Sequence, residues 1–177
     1  MKLFQSLKMK GSEISPFQEE CIKFQERVQR SPYPDQTLTL VVSAEGGNPD
    51  LCPIFAKIIW AYFDEYYFIN AFSAGFSLLW HLPTPNIYLY RYGIFRQHKV
   101  TYGTEEVAFK EQISEDVKTI DIIDCRDSLL LKERGVPHAE FSQQIFKTYS
   151  ADSLAEIGLI KAENILDIHM RKKSTLK

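Results

Sequence analysis

The sequence predicts an α/β fold with a central mixed sheet flanked by helices, and three observations carry that reading. Apolar, β-branched runs such as Leu38 to Ser43 (LTLVVS) suit strands buried on both faces. Between such runs, apolar residues recur at helical spacing, most clearly at Phe17, Cys21, Phe24 and Val28. Stretches rich in Pro and Gly separate the segments, as in Ser31 to Gln36 (SPYPDQ) and Glu45 to Asp50 (EGGNPD).

The elements follow in order. Leu3 to Met9 (LFQSLKM) reads as a short edge strand. Ser15-Pro16-Phe17-Gln18 reads as a helix start, with Ser15 as cap, Pro16 at the first helical position and Gln18 completing a capping box. That helix runs towards Arg30. After the Leu38–Ser43 strand and its loop, Ile54 to Phe63 has a helical pattern and Tyr66 to Phe72 reads as the next strand, a right-handed βαβ succession. Pro83 and Pro85 mark a loop. Ile87 to Tyr92, Gly93 and Phe95 to Thr101 then suggest a β-hairpin. Everything after Thr104 reads mainly as helices: one closing at Lys132-Glu133-Arg134 with Gly135 as C-cap, one opening at Pro137, and one from about Ser153 to Met170. Residues 1–136 are expected to form the main domain and 137–177 a C-terminal helical extension.

Composition bounds the function. The chain has 177 residues, 45% of them hydrophobic, which supports a packed core. A net charge of -2 gives no global attraction to nucleic acid or to acidic membranes. Met1 to Lys10 is broken by lysines, so no secretory signal is expected. The apolar region Leu51 to Trp80 contains Lys57, Asp64 and Glu65, and burying such charges at a bilayer centre costs roughly 2.5–3.5 kcal/mol each. It is read as core. Cys21, Cys52 and Cys125 are an odd, scattered set, neither a disulfide framework nor a zinc site, which points to a reducing, cytoplasmic compartment.

Three short segments carry a resemblance to thioredoxins. Leu40-Val41-Val42-Ser43-Ala44-Glu45 looks like the strand leading to their active-site loop, and Pro53-Ile54-Phe55-Ala56-Lys57-Ile58 like the helix that follows. Thr84-Pro85-Asn86 with Ile87 to Gly93 looks like their cis-proline loop, strand and hairpin turn. The resemblance implies a thioredoxin-like fold, yet Gly47-Asn48-Pro49-Asp50 stands where those proteins carry Cys-Gly-Pro-Cys, so dithiol exchange is chemically absent. The chain is most similar to the C-terminal domain of phosducin-like proteins, through Pro49-Asp50-Leu51-Cys52, Leu82-Pro83-Thr84 and Leu130 to Val136. That likeness implies a redox-inactive, protein-binding role of the adaptor or assembly-chaperone type.

Several residues are weighed as sites. Cys52 at a helix start suits a nucleophilic thiol, against which stands burial as a small apolar residue with no basic neighbour in sequence. Gly46, Gly47, Asn48, Pro49 and Asp50, together with Thr84 and Pro85, are expected to form one partner groove, with Thr84-Pro85 either cis or trans. Tyr88 and Tyr90 are expected to be buried, with Tyr92 left open. His81, His98, His138 and His169 have no ligand spacing, so no metal is expected. No cofactor is expected either: Gly46-Gly47 lacks the lysine-serine or lysine-threonine pair of a phosphate loop. The expected partner is another protein or a second copy of the chain. A single-cysteine enzyme using Cys52 and a structural subunit attached through 137–177 are the alternatives.

Overall fold

A computed structural model describes residues 3–7, 14–32, 37–44, 48–98, 110–136 and 146–167. Seven strands, β1 (Leu3–Leu7), β2 (Leu38–Ala44), β3 (Glu65–Phe72), β4 (Ile87–Tyr90), β5 (Phe95–His98), β6 (Phe146–Tyr149) and β7 (Ile165–Leu166), form one mixed sheet. Among the described residues five α-helices accompany them: α1 (Ile14–Gln29), α2 (Cys52–Tyr62), α3 (Ala74–His81), α4 (Lys110–Glu133) and α5 (Ala151–Glu156). The strand order is β1-β2-β3-β4-β7, all parallel, while β5 continues alongside the end of β3 and pairs antiparallel with β6. The α/β class and the mixed sheet expected from the sequence are present.

Sequential order has a steric consequence. Right-handed crossovers between neighbours taken in turn place successive helices on the same face of the sheet. That face carries Leu40, Val42, Ala44, Tyr66, Phe68, Ala71, Ile87 and Leu89, all fully buried. The helices above it join through Phe17–Phe55 and Phe24–Phe63 ring pairs at 5.3 and 5.4 Å. The predicted α1 stripe of Phe17, Cys21, Phe24 and Val28 is the buried face of that helix. Ser15 lies inside α1, which begins at Ile14, so the expected cap position is displaced inward.

Tyr88 and Tyr90 point to the other face and are half-buried, not buried as expected. Tyr88 stacks on Tyr67 with centroids 4.8 Å apart, and Tyr92 is 78% exposed.

Three further expectations fail for physical reasons. Ile87–Tyr90 and Phe95–His98 are strands but do not form a hairpin, because each pairs in parallel with a different stretch of β3. The segment Ala74–His81, which had no place among the predicted elements, is a helix apolar on every side, with Ala74 to Trp80 all buried. It rests beneath Tyr149, whose ring stacks on Phe76 at 5.7 Å. Residues after 136 are not simply a helical extension: 146–149 and 165–166 are strands, and among the described residues of the span expected to be helix from Ser153 to Met170 only 153–156 are α-helical, as the end of α5. Tyr149, Ala151, Leu154, Leu159 and Ile160 belong to the same hydrophobic core as Leu40 and Phe68, so the core runs across the expected domain boundary. The helix expected to open at Pro137 falls largely outside the described residues. Gly135 does close α4, with φ +73° and its N–H donating to the Lys132 carbonyl.

Candidate active site

Of the groove residues expected from the sequence, the described ones fall into two separate turns. Gly46 and Gly47 lie outside the described residues. Asn48 accepts a 2.9 Å hydrogen bond from the Asp50 N–H and caps the 3-10 turn Pro49–Leu51, which follows β2. Thr84 and Pro85 belong to a second 3-10 turn, which precedes β4, and the Thr84–Pro85 bond is trans. Since β2 and β4 run parallel in one sheet, a loop leaving β2 and a loop entering β4 sit at opposite ends of the strands. Helix α4 ties both down. Arg126 Nη2 donates to the Pro49 carbonyl at 3.3 Å. Two turns further on, about 12 Å by helical rise, Arg134 Nη1 donates to Thr84 Oγ1 at 2.8 Å and to the Leu79 carbonyl at 2.7 Å. Arg134 Nη2 also donates to the Leu82 carbonyl.

Cys52 is buried, as expected, with no exposed surface. Burial pushes its thiol up to about 12, although Arg126, brought close by folding, acts in the opposite direction. The thiol is therefore protonated at neutral pH and donates to the Ala74 carbonyl at 3.1 Å. His81 ends α3 instead of lying in a proline loop, and its side chain is only 5% exposed. Burial, aided by the positive charges of Arg126 and Arg134, lowers its pKa to about 4. Asp127 lies 3.7 Å from its Nε2. Burial pushes that carboxyl up against the opposing pull of the Arg126 guanidinium, which lies 2.8 Å away. A groove of about 640 Å³ opens beside this cluster, walled by Pro53, His81, Ile122, Leu129 and Leu130. Among the described residues no cluster of His, Cys, Asp or Glu could hold a metal ion. No described helix is long and apolar enough to cross a membrane.

The sharpest geometric feature is elsewhere, at Ser73. It is the only non-glycine among the described residues with positive φ, at φ 50°, ψ −120°. An L side chain held there costs on the order of 1–3 kcal/mol, so the surrounding structure must hold it in place. The sequence explains how. Between Val42 and Ser43 the β2–β3 register shifts by one residue, Ile69 being the extra residue on β3. The shift brings Ala71, not Asn70, beside Ala44 on the buried face. Two small side chains there leave space for the start of α3, and Gly75 lies so close that a Cβ would collide with the Ala44 methyl. The Ser73 N–H donates to the Arg96 carbonyl at 2.8 Å, and the Ser73 carbonyl accepts the Ser77 N–H at 3.1 Å. Chain direction thus reverses within one residue, from strand into helix.

Ala71-Phe72-Ser73-Ala74-Gly75 is consequently a small-x-Ser-x-Gly turn between a parallel strand and a helix. The turn places Ser73 at the carboxyl end of β3, with Ala74 as the first residue of α3. In nucleophile-elbow turns of this pattern the serine hydroxyl is exposed and the following backbone N–H serves as an oxyanion donor. Ser73 is half-buried, and the carboxyl ends of parallel strands are where such sheets bind ligands. Sequence reasoning missed this residue, although the five-residue pattern directly after a predicted strand was a readable signal. Arg91, at the same end of the sheet, is bound by Asp152 and by Asp167, the residue after β7.

Neither a protein-family model nor a curated protein matches the chain.

Proposed function

We propose that the protein is a serine-dependent hydrolase of the acyl-transfer type, with Ser73 as nucleophile. The observation that supports this reading is the Ser73 backbone at φ 50°, ψ −120° inside Ala71-Phe72-Ser73-Ala74-Gly75, between β3 and α3. In the reaction, Ser73 Oγ bonds to the carbonyl carbon of an ester, thioester or amide, and its proton passes to a base. The carbonyl oxygen takes the electron pair and receives a hydrogen bond from the Ala74 N–H. Collapse expels the leaving group with that proton, and water then releases the acyl group. In such reactions the base is most often a histidine. His81 does not fit: its pKa, lowered to about 4, makes it a weak base, and it is enclosed at the far end of α3. His98 closes β5, the strand whose Arg96 carbonyl binds the Ser73 N–H. His138 and His169 fall outside the described residues.

The test is labelling with a fluorophosphonate probe, followed by mapping of the modified peptide. Covalent modification of Ser73, absent in Ser73→Ala, is the expected result. A folded wild-type protein that is never labelled and cleaves no activated ester would sink the proposal.

The adaptor role is a second reading, favoured by the groove on α4 and by Ile122 and Leu129 beside it, 69% and 57% exposed. It does not depend on a thioredoxin-like or phosducin-like relationship. Capture of a partner that is lost in Leu129→Glu, with Ser73 inert, would favour this reading over the first.

A further inference from the structure

Cys52 is the buried reactive group that the Ser73 chemistry leaves unused, and its place in the fold is specific. It is the first residue of α2, fully enclosed, and its Sγ lies 3.1 Å from the carbonyl of Ala74. Ala74 is the residue whose N–H faces the reacting carbonyl if Ser73 is the nucleophile. Its own carbonyl belongs to the next peptide plane, Ala74–Gly75, whose Gly75 end packs closely against Ala44 of the sheet. Two elements therefore clamp the plane, the end of β2 by contact and the start of α2 by a hydrogen bond. With that plane fixed, rotation about Ala74 is restricted and its N–H keeps one direction. Arg126 anchors the Pro49 carbonyl just ahead of Cys52, holding the start of α2 in place.

We infer that Cys52 is a positioning residue, a thiol donor that orients the Ala74 peptide and through it the N–H that stabilises the oxyanion. The inference rests on the reading of Ser73 as nucleophile. It assigns the cysteine no covalent step, since the thiol donates its proton in a hydrogen bond and keeps it. Serine at position 52 supplies an O–H donor in the same place, whereas alanine supplies none. An enclosed hydrogen bond of this kind influences a rate by about tenfold when lost.

The experiment measures the rate and the reversible affinity of fluorophosphonate labelling in the full chain for wild type, Cys52→Ser, Cys52→Ala and Ile59→Val. Ile59 is equally buried on the same helix but seven residues further along, about 10 Å by helical rise, so its variant controls for loss of stability alone. Cys52→Ala is expected to label about tenfold more slowly with unchanged probe affinity. Cys52→Ser should recover most of the wild-type rate, and Ile59→Val should match wild type. Wild-type labelling by Cys52→Ala overturns this inference and leaves the nucleophile standing, as does a Cys52→Ser variant as slow as Cys52→Ala. An unlabelled wild type overturns both.

Discussion

Gly75 in α3 lies directly on the methyl group of Ala44 in β2, at a separation no side chain on position 75 would permit. The contact lets helix and strand approach closely enough for the chain to turn at Ser73. Gly75→Ala is expected to destabilise the fold by about 1–3 kcal/mol, the range for overpacking a tight site. Ala44→Gly in the same chain should restore much of that loss, because the two positions share one space. Denaturant melts of the four proteins in the cycle check this. Additive effects would show that the two residues do not meet.

Ser73→Gly separates stability from activity. Glycine tolerates positive φ, so the substitution relieves strain of roughly 1–3 kcal/mol, offset by about 0.5–1 kcal/mol of added chain entropy. The variant is expected to be at least as stable as wild type and wholly unreactive towards the fluorophosphonate. Clear destabilisation in a thermal melt would mean that the serine side chain, not the backbone, secures this turn.

His81 gives the fold a pH dependence with a definite sign. Its pKa is lowered to about 4 in the folded protein, against 6.5 in an unperturbed histidine. The unfolded chain therefore binds more protons between those values. The stability is fully present above pH 6.5 and is lost as pH falls towards 4. Between pH 7.5 and pH 5 the loss is about 2 kcal/mol for this one group. His81→Gln should flatten that part of the profile in urea melts, and an unchanged slope would assign the effect to other groups.

A chain ending at residue 136 is expected to lose cooperative folding. Tyr149, Leu154, Leu159 and Ile160 are all core residues. At roughly 1.5–3 kcal/mol for each large side chain buried, their loss approaches the total stability of about 5–15 kcal/mol usual for a domain. A truncated protein with a sharp melting transition would restore the expected division at 136.

Local patterns were legible in the sequence where one face of an element meets the core. Phe17, Cys21, Phe24 and Val28 announced α1, the run through Leu40 and Val42 announced β2, and Gly135 marked the end of α4. Helix α3 was hidden because Ala74 to Trp80 are buried on all sides, and a helix without a polar face has no period. Pairing was hidden as well. Nothing local to Phe95–His98 indicates that it continues beside β3 instead of folding back on Ile87–Tyr90, since register depends on what the rest of the sheet leaves open. The candidate site lay in view as five consecutive residues, yet the positive φ that gives them meaning is set by Ala44, almost thirty residues earlier.

The Arg91–Asp167 ion pair joins residues 76 apart in sequence, beside the pairing of β4 with β7. While the chain is being synthesised, β1, β2 and β3 can assemble from near neighbours, but β4 presents one side of open backbone until residue 166 has emerged. During that interval the exposed ladder, with Ile87 and Leu89 on its apolar face, is a template for any other extended segment at hand. Failures of production in a cell should therefore originate at β4, as nascent chains joined edge to edge. Changes that weaken β7 should lower yield more than they lower the melting temperature of the protein that does fold.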